Sequence, residues 1–244
     1  MPAPKRQRQR SSRARQAAAI AAHRRSTRRR AIAVALFLII LLVLGVAAVV
    51  SGGGGDEAKP VKAAGPCPQA NPPARTYPTP PPMSIDPAKT YTAEIKTNKG
   101  TMVATLDPAR APTTVNNFVF LANNHFFDCL GFHRVVPGFV LQGGDPAGDG
   151  TGGPGYKLKD ELPQAGEYKV GSVAMANSGP DTNGSQFFVV SGPQGVALPP
   201  KYSLFGQVDQ GLDVVSQIDA LGTPNAPNTP REPVTIESVT IKES

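Results

Sequence analysis

Residues 31–50, AIAVALFLIILLVLGVAAVV, carry no charge and no strongly polar group over twenty consecutive positions. An α-helix rises about 1.5 Å per residue, so a run of this length crosses the roughly 30 Å hydrocarbon core of a bilayer. A helix apolar on all sides would otherwise need surrounding protein to bury it, and here arginines precede it and glycines follow. Residues 1–30 contain eleven Lys and Arg and no acid, ending in HRRSTRRR. By the positive-inside rule the N-terminus then lies in the cytoplasm and everything after residue 50 lies outside. The chain is expected to be a single-pass protein of the cell membrane, with a basic cytoplasmic tail over 1–30, a transmembrane helix over 31–50 and an extracytoplasmic remainder. A cleaved signal peptide is the competing reading. Its apolar region is about 7–15 residues and ends at a small-residue cleavage site, which Val49-Val50-Ser51 matches poorly.

The formal charge of +7 belongs to that tail. The other 14 Lys and Arg are outnumbered by all 18 acids, so the chain from residue 31 onward carries −4. The high isoelectric point is therefore no argument for a nucleic-acid partner, and none is expected. The tail either lies on anionic lipid, where each basic residue contributes about 1 kcal/mol, or is simply solvated. Residues 51–87 run from SGGGGDEAKP through GPCPQANPPARTYPTPPP. Glycine makes such a stretch flexible and proline makes it semi-extended, so it reads as a spacer ahead of a domain over 88–244. Two cysteines, Cys67 and Cys129, form neither a disulfide framework nor a zinc site. Both fall on the outer side of the apolar segment, where a bridge is permitted; a Cys67–Cys129 disulfide and two free thiols remain equal alternatives.

From Tyr91 the texture changes. YTAEIKTNKGTMVATLD reads as two strands around a turn at Asn98-Lys99-Gly100. PTTVNNFVFLANNHF has Val115, Phe118, Val119 and Ala122 at helical spacing, with Thr113 or Thr114 as cap. GFHRVVPGFVLQGGD, VGSVAMAN and SQFFVVSG read as strands, GLDVVSQIDAL as a second helix, and EPVTIESVTIKE as a closing strand. Many short strands with only two helices point to a closed antiparallel barrel, which leaves no exposed edge.

Two stretches invite a chemical reading. The glycine-rich run in residues 132–155 is not a phosphate loop, because no Gly-Lys-Ser/Thr follows it. Nor is it a calcium loop, because twelve positions from Asp145 end at Tyr156 rather than Glu. It is read as structural. In MANSGPDTNGSQFFVV, Gln186 and Phe188 stand two apart in a strand and so share a face. They form either an apolar pocket with a polar handle or ordinary core beside a solvated amide. His125 and His133 have no serine or cysteine placed as a nucleophile and are read as structural; Cys129 is read as a small core residue.

FHRVVPGFVLQGGD and MANSGPDTNGSQFF, in that order, resemble the two signature blocks of the cyclophilins, and LFGQV at 204–208 matches as well. The resemblance runs from about Tyr91 to Lys242. It implies a closed eight-stranded antiparallel barrel capped by two helices. It also implies cis-trans isomerisation of Xaa-Pro peptide bonds in proline-containing polypeptides, without cofactor or metal. Arg134 matches the family's catalytic arginine. Phe139, Val140, Gln142, Ala176, Asn177, Gln186, Phe188 and Leu198 match its substrate groove. Val140 stands where methionine is common. Tyr202 stands at the groove histidine, keeping a ring and a hydrogen-bonding tip, and Ala197 stands at the groove tryptophan. Loss of the indole implies weak cyclosporin binding. Joined to the expected topology, the resemblance implies an enzyme that assists folding of exported proteins. The alternative is a module of the same fold that holds proline segments without turnover.

Overall fold

The computed structural model describes residues 74–244. The basic tail, the apolar segment expected to cross the membrane and most of the spacer, with Cys67, lie outside the described residues. Among those described, no helix is long and apolar enough to cross a membrane.

Period-two alternation builds the first hairpin. Tyr91, Ala93 and Ile95 of β1 (Tyr91–Thr97) and Met102, Ala104 and Leu106 of β2 (Gly100–Leu106) turn to one buried face. The register pairs Thr97 with Gly100 across a two-residue turn. Gly100 is obligatory there: its φ is +133° and a Cβ would stand 2.7 Å from Val214 Cγ2. The remaining strands are β3 (Arg134–Val136), β4 (Val140–Gly143), β5 (Ser172–Met175), β6 (Phe187–Val190), β7 (Leu204–Gln210) and β8 (Ile236–Glu243). They form one antiparallel sheet in the order β3-β4-β6-β5-β7-β2-β1-β8.

The expected closed barrel is corrected by this order, which is a half-barrel: β3 and β8 are its two edges and no ladder joins them. The reason is local. β3 is three residues long and stops at Pro137-Gly138, and its outer edge is taken by a loop. The Val135 amide donates to the Asn228 carbonyl (2.8 Å), and the Thr223 amide donates to Val135 O (3.3 Å). Ahead of β3 a single isolated antiparallel bridge, Gly131–Thr235, meets the start of β8, flanked by Cys129 N–H to Ile236 O (2.7 Å) and Phe132 N–H to Val234 O (2.9 Å). Cys129 is not a free thiol.

Helix α1 (Pro112–Asn123) lays Val115, Phe118, Leu121 and Ala122 on the sheet. Phe118 is the hub of an aromatic core, stacked on Phe127 (4.9 Å) and edge-on to Phe187 (5.5 Å). The expected threonine cap is corrected. Ala111 occupies the cap position and makes no side-chain bond, and Pro112 opens the helix with its fixed φ and no N–H to satisfy. The Thr113 and Thr114 amides instead donate to the Glu161 carboxylate (3.0 and 2.8 Å), and Thr114 Oγ1 donates to it too (2.7 Å). Helix α3 (Leu212–Ala220) buries Val214, Val215 and Ile218. A further short helix, α2 (Pro193–Val196), brings the described helices to three where two were expected.

Residues 74–86, at the end of the proline-rich stretch, lie on the domain as a strap. The Arg75 guanidinium donates to Asp128 O (2.7 Å) and sits over the Phe126 ring. Asn116 of α1 accepts from Ser84 N–H (2.8 Å) and donates to Pro82 O (3.0 Å), and Ile85 is buried.

Candidate active site

Strands β4, β5 and β6 are buried on both faces, which is why FFVV of β6 shows no polar alternation. Leu141, Val173, Met175, Phe187 and Val189 face the main core. Their alternates Val140, Ala174, Phe188 and Val190 face a second apolar cluster on the opposite side of the sheet. Tyr168 and Leu204 complete its buried part, and Phe139, Ala176, Leu198 and Tyr202 pack on it half-buried. A second apolar cluster, with half-buried members at its margin, therefore stands outside the main core. Phe188 is buried in this cluster, 4 % exposed, and its ring meets Tyr202 edge-on at 5.4 Å, contacts that both readings of this residue accommodate. Val140, 2 % exposed, lies inside this cluster rather than at its margin.

A polar row borders the cluster. The β3–β4 register sets Arg134 opposite Gln142, and the β4–β6 register sets Gln142 opposite Phe188. Arg134 Nη1 donates to Gln142 Oε1 (3.3 Å), and its guanidinium lies 5.7 Å from the centre of the Phe139 ring. Gln142 Nε2 donates to Gln186 Oε1 (3.0 Å), and Gln186 Nε2 donates to the Gly150 and Gly152 carbonyls (2.9 Å each). Gln186 is half-buried and fully engaged, not a solvated amide. Partial burial lowers the Arg134 pKa and the nearby Tyr202 hydroxyl opposes that shift; a guanidinium starts so high that it stays charged.

The glycine run is structural, as expected, and its organiser is Asp145. That buried carboxylate accepts from the Ala147, Asp149 and Gly150 amides (2.8, 3.1 and 2.5 Å). The loop thereby presents two carbonyls to Gln186. On the other side of the cluster, Asn177 Nδ2 donates to Lys201 O (2.9 Å). Tyr202 is fixed through its backbone by Tyr168, whose hydroxyl donates to Tyr202 O (2.7 Å) and accepts from Tyr202 N–H (3.2 Å). Burial pushes the Tyr168 pKa up to about 12, so it remains a neutral donor. Ala197 caps α2, exposed, beside half-buried Leu198.

Of the ten site residues expected from sequence, Phe139, Val140, Ala176, Phe188, Leu198 and Tyr202 share the second apolar cluster, Arg134, Gln142 and Gln186 form the polar row, and Asn177 bonds the residue before Tyr202. Tyr168, Asp145 and the glycine-loop carbonyls were not among them. The Tyr168–Tyr202 and Gln186–loop contacts span 34–36 residues of sequence and carry no local signal, whereas Asp145 binds amides only two to five residues on. His133 is half-buried, and desolvation first of all lowers its pKa, which suits a neutral structural ring. His125 Nδ1 meets Asp128 Oδ2 at 3.0 Å, away from the groove.

Comparison with known proteins agrees with this geometry. Residues 92–241 match the family model described as cyclophilin type peptidyl-prolyl cis-trans isomerase/CLD. Peptidyl-prolyl cis-trans isomerase B of Streptomyces anulatus is 45% identical over 170 residues, covering 62% of this chain and 95% of that protein. Its Bacillus subtilis namesake is 51% identical over 109 residues, covering 44% of this chain and 76% of that protein. The crystal structure of a cyclophilin type peptidyl-prolyl cis-trans isomerase from Cryptosporidium parvum superposes with a TM-score of 0.59 at 28% identity, over 64% of this chain and 99% of that one. A second structure of that protein, in the presence of the dipeptide Ala-Pro, gives 0.58 at 28% identity, over 63% and 99%.

Proposed function

The chain belongs to the cyclophilin-type peptidyl-prolyl cis-trans isomerases, and from that premise we propose how its groove performs the isomerisation and where in the cell it does so. Rotation about an Xaa-Pro bond is slow, about 10–100 s uncatalysed, because amide resonance must be broken. Nothing is cleaved or transferred. The enzyme need only stabilise a twisted amide, whose nitrogen has become pyramidal and basic, more than it stabilises the planar one. Each tenfold acceleration requires about 1.4 kcal/mol of that difference.

The observation that carries this reading is a charged guanidinium held by Gln142 at the border of an apolar cluster. Phe139, Phe188, Leu198 and Tyr202 receive the proline ring, with Val140 beneath and Ala176 beside them. Arg134 donates to the proline nitrogen as it pyramidalises and to the preceding carbonyl oxygen. Because the Gln142–Gln186–loop row already orients it, little reorganisation remains at the moment of twisting. Asn177 and its backbone hold the peptide extended.

The alternative is a module that binds proline segments without turning them over. It would have no use for an oriented cation, since Arg134 lies at the border of the apolar surface that captures proline. Relaxation of a cis-enriched Xaa-Pro peptide separates the two: full-length protein accelerates it, whereas saturable binding without acceleration would overturn the catalytic reading.

We place the domain outside the cytoplasm, anchored by residues 31–50 and acting on exported polypeptides. The uncharged run behind RRR supports this. The same compartment favours a Cys67–Cys129 bridge, and Cys67 is the chain's only cysteine besides Cys129. The protein should resist alkaline carbonate extraction, and protease added to intact cells should reach residues 90–244. Release by carbonate, or protection of the domain, would overturn this placement.

A further inference from the structure

The strap reaches the active-site loop. Arg75 and Tyr77, two apart, turn inward, while their neighbours Thr76 and Pro78 are exposed. The Tyr77 ring packs edge-on against Phe120 at 5.1 Å and lies 6.4 Å from Phe126. Its amide donates to Pro154 O (2.8 Å), at the far end of the glycine-rich loop. The approach is close: a Cβ on Gly155 would stand 2.8 Å from both Thr76 Cγ2 and Tyr77 O. Behind it, buried Pro154 lies against Gly184, where a Cβ would come within 3.0 Å of Pro154 Cδ. The loop therefore has three fastenings. The Asp145 carboxylate holds its start, Gln186 holds the Gly150 and Gly152 carbonyls, and the strap holds its end.

We propose that Tyr77, through Pro154, is a positioning residue for catalysis, so that the segment joining the domain to its N-terminal region helps set turnover. This rests on the role given to Arg134. Pro154 lies two residues from Gly152, whose carbonyl fixes Gln186; Gln186 fixes Gln142, and Gln142 fixes the guanidinium. Loosening the strap's grip lets the loop carbonyls move, and the guanidinium loses orientation where the twisted amide needs it. The proline pocket lies across Phe188, Leu198 and Tyr202, which the strap does not touch. Turnover should therefore suffer while capture of the peptide does not.

The test uses the full-length protein and a short peptide containing one Ala-Pro bond, with kcat and KM resolved separately. Tyr77→Ala, which removes the ring that seats the strap, should lower kcat by about three- to thirtyfold, the range found for side chains along a packed chain of contacts, and leave KM unchanged. Tyr77→Phe keeps ring and amide and should restore kcat. Asn116→Ala releases the strap at Pro82 and Ser84, away from Pro154, and should lower the melting temperature without lowering kcat. Wild-type kcat in Tyr77→Ala would overturn the proposal, as would equal kcat losses in Tyr77→Ala and Asn116→Ala at matched stability. Arg134→Ala distinguishes the premise: if it stays active the catalytic role of the arginine fails, and if it is inactive while Tyr77→Ala is not, only the strap's role fails.

Discussion

Replacing Gln186 by leucine keeps the apolar stem out to Cδ, ends one atom short of the amide, and removes three hydrogen bonds, to Gln142, Gly150 and Gly152, at 2.9–3.0 Å. Each such bond contributes about 0.5–1.5 kcal/mol net, so roughly 1.5–4.5 kcal/mol is at stake. The site is half-buried, and water can replace part of this on the loop carbonyls. What water cannot replace is geometry. Gln142 loses its acceptor, and its own oxygen no longer holds Arg134 in one place. We expect kcat/KM to fall by about one to two orders of magnitude, about 1.4–2.7 kcal/mol. The pocket of Phe188, Leu198 and Tyr202 is untouched, so KM should change less than kcat. Relaxation of a cis-enriched Xaa-Pro peptide gives both parameters, and a thermal melt shows what part of the cost went into folding instead. Wild-type kcat/KM in Gln186→Leu would show that the row of amides does not orient the guanidinium.

Three other outcomes follow from the same contacts. Glu161→Ala strips the first turn of α1 of its remote carboxylate cap, a loss of about 0.5–2 kcal/mol. The melting temperature should fall by roughly 1–8 °C, and an unchanged midpoint would refute the capping role. Cyclosporin should bind weakly, and Ala197→Trp, at an exposed position beside Leu198, should tighten it by about 1–3 kcal/mol through restored donor and ring area; equal calorimetric affinities would refute the assignment of that loop. Non-reducing mass mapping should find Cys67 joined to Cys129, a link whose loop of about sixty residues contributes on the order of 4 kcal/mol in the chain-entropy model; two alkylatable thiols in unreduced protein would contradict it.

What the sequence reveals and what it hides divide along contact range. The β1–β2 hairpin is legible because alternation and a turn at Asn98-Lys99-Gly100 are local signals. Gln186 and Phe188 share a face because strands have period two, but that parity alone does not say which side of the sheet is core. Here both sides are buried, so side-chain parity cannot separate a pocket from core. The closed barrel fails on a three-residue β3 whose edge is taken by residues 223–228, a pairing no alternation pattern records. The threonine cap fails because a carboxylate 47 residues away satisfies those amides. Proline-rich composition reads as spacer throughout, yet residues 74–86 are held through Arg75, Tyr77 and Ile85, single side chains that composition averages away.

The most direct test of the catalytic account is kcat/KM of the full-length protein with Arg134 and with Arg134→Ala. Arg134 makes one long hydrogen bond and one contact with a half-buried ring, so its removal should leave stability within about 0.5 kcal/mol of the wild type. We predict that kcat/KM nevertheless falls by at least about two orders of magnitude, or about 2.7 kcal/mol of transition-state stabilisation. A folded Arg134→Ala protein that retains most of its activity would contradict the mechanism.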